Sequence, residues 1–258
     1  MRVREVHGPP ADFRAYLGED SLRNAFALYD LQEEADRVRC YAATEGDSFV
    51  GYLLSWHGRE YPNVIVTGTR EAADALLPRA PPSPCTFLIV PELSASVETR
   101  REITARRLMD FMFVEARSFR PTDTRDAERL GEKDAEALKG LYRDATEEPM
   151  ASGRWAEQGL AYGLRLEGQL VAAAGTHFIS QGRSLIGGVY TSPDFRRRGY
   201  AATVTSAVTR AALQQSDQVG LMVVSTNVAA IGLYEKLGYR KGVQWAWLDS
   251  GTGHVPLA

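Results

Sequence analysis

The segment QVGLMVVST, residues 218–226, constrains the fold more than any other stretch. Val219, Leu221, Met222, Val223 and Val224 make it apolar on both faces, as expected of a strand covered on both sides. Amphipathic helical patterns flank it. Before it, Val204, Ala207, Val208, Ala211 and Ala212 recur at helical spacing. After it, NVAAIGLYEKLGY (227–239) reads as a second helix, with Leu233 and Leu237 towards the core and Gly238 as a left-handed stop. A buried strand between two helices requires an α/β architecture with a mixed sheet.

The chain around this unit keeps the same rhythm. Residues 123–130 predict a short strand, and EKDAEALKGLYRDA (132–145) a helix with Leu138, Leu141 and Tyr142 on one face. Pro149 ends it. GLAYGLRLEGQLVAAAGTHFISQGRSLIGGVYTS then predicts an antiparallel meander of three strands, turning near Gly168 and Gly182. A final strand places Val243, Trp245 and Trp247 on one face. The N-terminal half repeats the rhythm loosely: a helix in SLRNAFALYDLQ, a hairpin turning at Gly46 and Asp47, the strand NVIVTG, the helix REAADALL, and the strands CTFLIV and ARRLMDFMFVEA. The polar, proline-bearing stretch FRPTDTRD predicts a boundary, giving domains of 1–120 and 121–258. One merged domain with an elaborate N-terminal extension is the alternative.

Composition excludes several classes. Hydrophobic residues make up 44%, charged residues 24%, and the net charge is −3, which fits a globular chain and disfavours a nucleic-acid binder. No apolar run approaches the ~20 residues that span a bilayer, and the N-terminus lacks a signal-peptide core. Cys40 and Cys85 lie far apart in strand-like runs, and no Cys/His cluster has metal-ligand spacing. The expectation is a cytoplasmic protein with no metal, no membrane and no nucleic acid.

Against that background DFRRRGYAATV (194–204) poses a question, since three consecutive arginines precede a glycine and a helix. A solvated turn, a nucleic-acid patch and a phosphate loop all fit. The helix from Tyr200 adds only Arg210, which weakens the patch. A loop that ends a strand and opens a helix presents unpaired N–H groups and the positive end of the helix dipole, which together favour phosphate. Gly199 and the small Ala201 allow close backbone approach.

The string Arg196-Arg197-Arg198-Gly199-Tyr200-Ala201, followed by a strand and then Asn227 through Tyr239, resembles the GCN5-related N-acetyltransferase (GNAT) family. The resemblance covers roughly the C-terminal half. It implies two GNAT-like domains, the N-terminal one degenerate, and acetyl-CoA or a related acyl-CoA as co-substrate. The pyrophosphate would be held by the loop Arg196, Arg197, Arg198, Gly199, Tyr200, Ala201 and Ala202. The pantetheine arm would pair with the strand Val189, Tyr190 and Thr191, where IGGVYTS splays from QVGLMVVST, and Asn227 would help fix it. Gly187 and Gly188 are unusual within a strand; a bulge, a close ligand, or relief of crowding would each explain them.

The resemblance makes Tyr234 the general acid to the departing thiolate. It lies seven residues after Asn227, about two helical turns away on the same face. The base stays open between Glu147, Glu148, His177 and water, because SLIGGVYT carries no acid where many relatives place one. A lysine-like amine needs about 4.6 kcal/mol to shed its proton at pH 7, an α-amino group only about 1.4. The expected acceptor is a small-molecule amine, and a homodimer is compatible with the sequence. The N-terminal copy lacks the R-x-x-G-x-A string and any counterpart of NVAAIGLYEKLGY. It is expected to bind no cofactor and to wall the acceptor cleft through Tyr52, Trp56 and the arginines of 100–107. A non-catalytic acyl-CoA-binding module is the competing function.

Overall fold

The computed structural model describes residues 1–251 apart from 9, 22, 59, 144, 146–158 and 181. Two compact units emerge, and neither is one continuous half of the chain. Of the described residues, the first holds Met1–Asp110, Val224–Thr226 and 243–251; the second holds Phe111–Val223 and Asn227–Gly242. The chain passes between them within the strands β6 (Ile103–Glu115) and β12 (Arg240–Ser250), and twice more on either side of Val224–Thr226.

The first unit contains β1 (Arg2–Val6), α1 (Ala11–Glu19), α2 (Ala25–Glu33), β2 (Val38–Glu45), β3 (Ser48–Trp56), β4 (Asn63–Gly68), α3 (Arg70–Leu76), β5 (Cys85–Ile89) and α4 (Ser94–Glu98). Its strand order is β1-β2-β3-β4-β5-β12-β6. The hairpin of β2 and β3 turns at Gly46, as its sequence predicts, and β4 runs parallel to β5 across the α3 crossover. The sequence reading missed β1 and α1. The last strand of the chain completes this unit, with Ala246–Ser250 antiparallel to Cys85–Ile89. Alternation along β12 sends Ala246 and Leu248 into a core with Leu53, Val64, Leu76 and Phe87. Asp249 anchors the strand: it accepts from Thr86 Oγ1 at 2.8 Å and pairs with the Arg107 guanidinium at 2.5 Å, both charged side chains almost wholly buried.

The second unit contains β7 (Ala127–Arg129), α5 (Ala135–Tyr142), β8 (Ala161–Leu166), β9 (Gln169–Ser180), β10 (Arg183–Thr191), α6 (Tyr200–Ala212), β11 (Gln218–Val224) and α7 (Val228–Lys236). Its order is β6-β11-β10-β9-β8-β7. Every predicted strand and helix of residues 123–250 is present. The β8–β9 turn is tight because Glu167 and Gly168 both take positive φ, 49° and 83°. Val204 and Val208 on α6 are fully buried against Val171, Ala172, Ile186, Leu221 and Tyr234, worth about 2 kcal/mol for each such side chain. Gly238 ends α7 at φ 93°, and a Cβ there would fall 2.0 Å from the Ser118 carbonyl, so glycine is required twice over.

Both cysteines are buried free thiols. Among the described residues no helix is long and apolar enough to cross a membrane, and no group of three or more metal-ligating side chains occurs.

Burial pushes the Cys40 thiol up to about 12 and raises the phenols of Tyr52, Tyr142, Tyr234 and Tyr239 above their ordinary 10.0. The unfolded chain therefore gives up these protons first and binds fewer than the folded one above about pH 9, so stability falls as pH rises. The thermal midpoint followed by circular dichroism is expected to be flat from about pH 7 to 8.5 and to drop steeply from about pH 9 to 11. A midpoint that holds to pH ~11 would contradict buried, unionised phenols in the folded state.

Candidate functional site

The site grows from a strand pair that stops early. β10 and β11 run parallel from Arg183↔Gln218 to Ile186↔Leu221, and the pairing goes no further among the described residues. On its other side β10 stays with β9, but its register shifts between Gly187↔Gly175 and Tyr190↔Ala173. Gly188 and Val189 therefore face the single residue Ala174. This is a β-bulge, and Gly188 makes it with φ 56°. Beyond the bulge Ser192 N–H donates to Val171 O at 2.9 Å. The alternation of an antiparallel ladder then turns the N–H and C=O of Thr191 away from β9, towards the side where β11 has parted.

Gly187 and Gly188 have separate causes. A Cβ on Gly187 would sit 2.1 Å from His177 Nε2, so Gly187 relieves crowding, the plainest of the expected explanations. Gly188 supplies the bulge. Its carbonyl accepts a hydrogen bond from the Tyr142 hydroxyl, and the Tyr142 ring lies 5.4 Å from that of Tyr190. His177 is half-buried and fills the space over Gly187.

The loop after β10 begins with a short turn, Pro193–Phe195, and leads into α6. Arg197 at φ 63° and Gly199 at φ 86° are both left-handed. The first bond of the helix is Thr203 N–H to Gly199 O at 3.1 Å. Among the described residues no hydrogen bond takes the N–H groups of Arg197, Arg198, Gly199, Tyr200, Ala201 or Ala202. Six donors without a partner and the positive end of a 13-residue helix thus lie along this one turn. A Cβ on Gly199 would meet nothing within 4 Å, so the space over the turn is open.

The three arginines divide their work. Arg196 Nε donates to Thr191 O at 3.1 Å, and its guanidinium lies over the Tyr190 ring, 5.7 Å from the centroid. Arg198 reaches back to Asp194 O at 3.5 Å and covers Phe195. Arg197 is exposed. Two of the three thus brace the turn by their side chains.

Asn227 and Tyr234 both sit on α7, as their spacing predicts. Asn227 is the N-cap, its Oδ1 accepting from Ala230 N–H at 3.1 Å. That capping role escaped the sequence reading. The Tyr234 ring is buried against Ile231, Leu237 and Tyr239, and desolvation raises its phenol. Glu147 and Glu148 lie outside the described residues.

In the first unit, the connection after β4 differs. α3 has seven residues, and Thr69 Oγ1 caps it by accepting from Ala72 N–H at 3.1 Å. Tyr52, expected to line a cleft, is a core residue instead: it is 1% exposed and donates to Asn24 Oδ1 at 2.8 Å. The arginines of 100–107 are also engaged locally. Arg100 pairs with Asp74, Arg101 donates to Pro81 O, Arg106 pairs with Glu98, and Arg107 with Asp249.

Residues 161–248 match the family model described as FR47-like protein. By structure the chain is similar to a GCN5-related N-acetyltransferase from Kribbella flavida, at 19% identity and TM-score 0.66, over 90% of this chain and 97% of that one. The chain has the GNAT fold. A GNAT-family acetyltransferase from Colwellia psychrerythraea matches at 12% identity and TM-score 0.62, covering 97% and 100%. A tandem GNAT protein from the clavulanic acid biosynthesis pathway matches at 12% and 0.56, covering 98% and 100%. The GNAT likeness therefore runs through both halves of the chain. A search of curated proteins by sequence found no match.

The crowding at Gly187 generates a test. Gly187→Ala is expected to cost about 1–3 kcal/mol of stability by overpacking. His177→Ala in the same chain should recover most of it. Urea denaturation of both variants measures this coupling, and an equal loss in the double variant would remove His177 as the reason for the glycine.

Proposed function

We propose that this protein is an acyl-CoA-dependent N-acyltransferase. It transfers acetyl from acetyl-CoA to the amine of a small molecule or an amino-acid-like substrate, by direct attack in a ternary complex. The observation that carries the reading is the parting of β10 and β11 after Ile186 and Leu221, in a strand that leads directly into the six unpaired N–H groups at the start of α6. An extended arm with an amide backbone fits the first feature and a pyrophosphate the second. The names carried by structures of the same fold support the same chemistry.

In this reading Arg197, Arg198, Gly199, Tyr200, Ala201 and Ala202 receive the pyrophosphate through backbone N–H groups. Arg196 shapes the turn and adds positive charge. Val189, Tyr190 and Thr191 offer the strand edge, and Asn227 keeps its side-chain amide for the arm while its Oδ1 caps α7. The neutral amine attacks the thioester carbonyl, the C–S bond breaks, and the thiolate takes the Tyr234 proton. A phenol is protonated at neutral pH without any shift. Burial of the ligand-free Tyr234 raises it further and so makes it a weaker acid, and the proton transfer is matched to the thiolate only where a bound substrate offsets that burial. The proton lost by the amine goes to water or to a base.

In this reading the second unit carries the catalytic site and the first is a degenerate copy that the last strand completes, with one acyl-CoA per chain. The capped seven-residue α3 offers no equivalent of the α6 turn. We place the protein in the cytoplasm, with a small amine as its partner and a homodimer as its simplest assembly. Nucleic acid is left out because Arg196 and Arg198 are folded back onto their own turn. The competing reading, a non-catalytic acyl-CoA-binding module, draws on β10, which carries no carboxylate.

Gly199→Val should weaken acetyl-CoA binding by at least about 100-fold, because a branched side chain both resists the left-handed turn and fills the space over it. Arg197→Ala should cost about tenfold or less, as one exposed charge does. Calorimetry on both variants decides, and normal affinity in the valine variant would remove the phosphate cradle.

A screen of small amines with acetyl-CoA, read as free thiol, tests turnover itself. With an accepted amine, Tyr234→Phe should lower kcat by roughly 10²–10⁴ with acetyl-CoA affinity little changed. Binding without thiol release on any amine would favour the module, and a Phe variant within a few-fold of wild type would make Tyr234 a packing residue.

A further inference from the structure

Tyr142 is not required by the chemistry above, and it touches the site at its most unusual point. It is the last residue of α5 and is 7% exposed. Its hydroxyl donates to the carbonyl of Gly188, the residue that makes the bulge. A bulge takes backbone groups out of the ladder, and an interior carbonyl without a partner is costly. Tyr142 supplies that partner from another element. Its ring packs on Tyr190, Tyr190 lies under the Arg196 guanidinium, and Arg196 Nε holds Thr191 O. These contacts form a continuous chain from α5 through the bulge to the start of the phosphate turn. One residue before the bulge, His177 leaves Gly187 no room for a Cβ.

We propose that Tyr142 is a positioning residue that holds the Gly188 bulge in the shape a pantetheine arm needs beside Val189 and Thr191. This rests on the acyl-CoA reading of the same strand. The hydroxyl fixes where the Gly188 carbonyl points, and with it the peptide plane that carries the Val189 N–H. Without it the bulge samples other geometries, and the strand edge is no longer set for an extended ligand.

Tyr142→Phe keeps the ring and removes only the hydroxyl. Gly188→Ala attacks the same bulge through its φ of 56°. Two readouts are needed. The first is amide hydrogen exchange in the ligand-free chain, where both variants should exchange faster at 187–190 while α6 and β11 keep wild-type protection. The second is calorimetry with acetyl-CoA and with adenosine 3′,5′-bisphosphate, which lacks the arm. Loss of the hydroxyl should weaken acetyl-CoA about tenfold, the scale of one hydrogen bond, and leave the bisphosphate unchanged. Equal weakening of both ligands would mean general destabilisation and overturn the proposal. Unchanged exchange at 187–190 would overturn it whatever the ligands do. Wild-type protein that fails to bind acetyl-CoA would sink the acyl-CoA reading itself and the positioning role with it. Wild-type binding that Tyr142→Phe leaves intact would remove the positioning role alone.

Discussion

Two parallel strands that stop pairing half-way leave backbone donors and acceptors that something else has to satisfy. In the second unit the pairing of β10 with β11 ends at Ile186 and Leu221, and the rest of the site follows from it. The groups freed along β10 are handled one at a time. The Gly188 carbonyl goes to Tyr142 and the Thr191 carbonyl to Arg196. Thr191 Oγ1 and the N–H groups of Arg197 through Ala202 have no partner among the described residues. What the protein satisfies internally shapes the strand edge, and what it leaves open is where a ligand with complementary groups gains most.

Charge enters in the same spirit. The triplet Arg196, Arg197 and Arg198 looks like a basic patch when counted, yet two of its side chains are spent on the turn. The donors left without a partner are backbone N–H groups, on a turn with two left-handed residues and at the start of α6. Backbone donors are fixed in direction and lose no side-chain entropy on binding, whereas a free arginine does. Tyr234 follows the opposite rule: it is buried in the core, and desolvation raises its phenol above the ordinary value.

Much of this was legible in residue order. Helical spacing gave α6 and α7, the paired glycines marked an irregular strand, and Gly199 marked the turn into a helix. The seven-residue spacing of Asn227 and Tyr234 put them on one helix. Other readings failed for lack of a local signal. Tyr142 reads as a core tyrosine, and no spacing points from it to a carbonyl 46 residues away. Tyr52 reads as a cleft aromatic until Asn24 is found beneath its hydroxyl. The arginines of 100–107 look available until Asp74, Glu98 and Asp249 are placed beside them.

The sequence by itself determined the elements and the residues at which the backbone bends, because periodicity, capping and positive φ act over a few residues. Tertiary structure alone decided which strand ends found which partners. The last strand pairs with β5, although about 150 residues separate them, and β6 begins in one unit and ends in the other. It also decided why Gly187 is a glycine and which arginines remain free. Those outcomes depend on contacts between distant segments, where shape, burial and the satisfaction of each polar group are settled together, and no local window of sequence contains both partners.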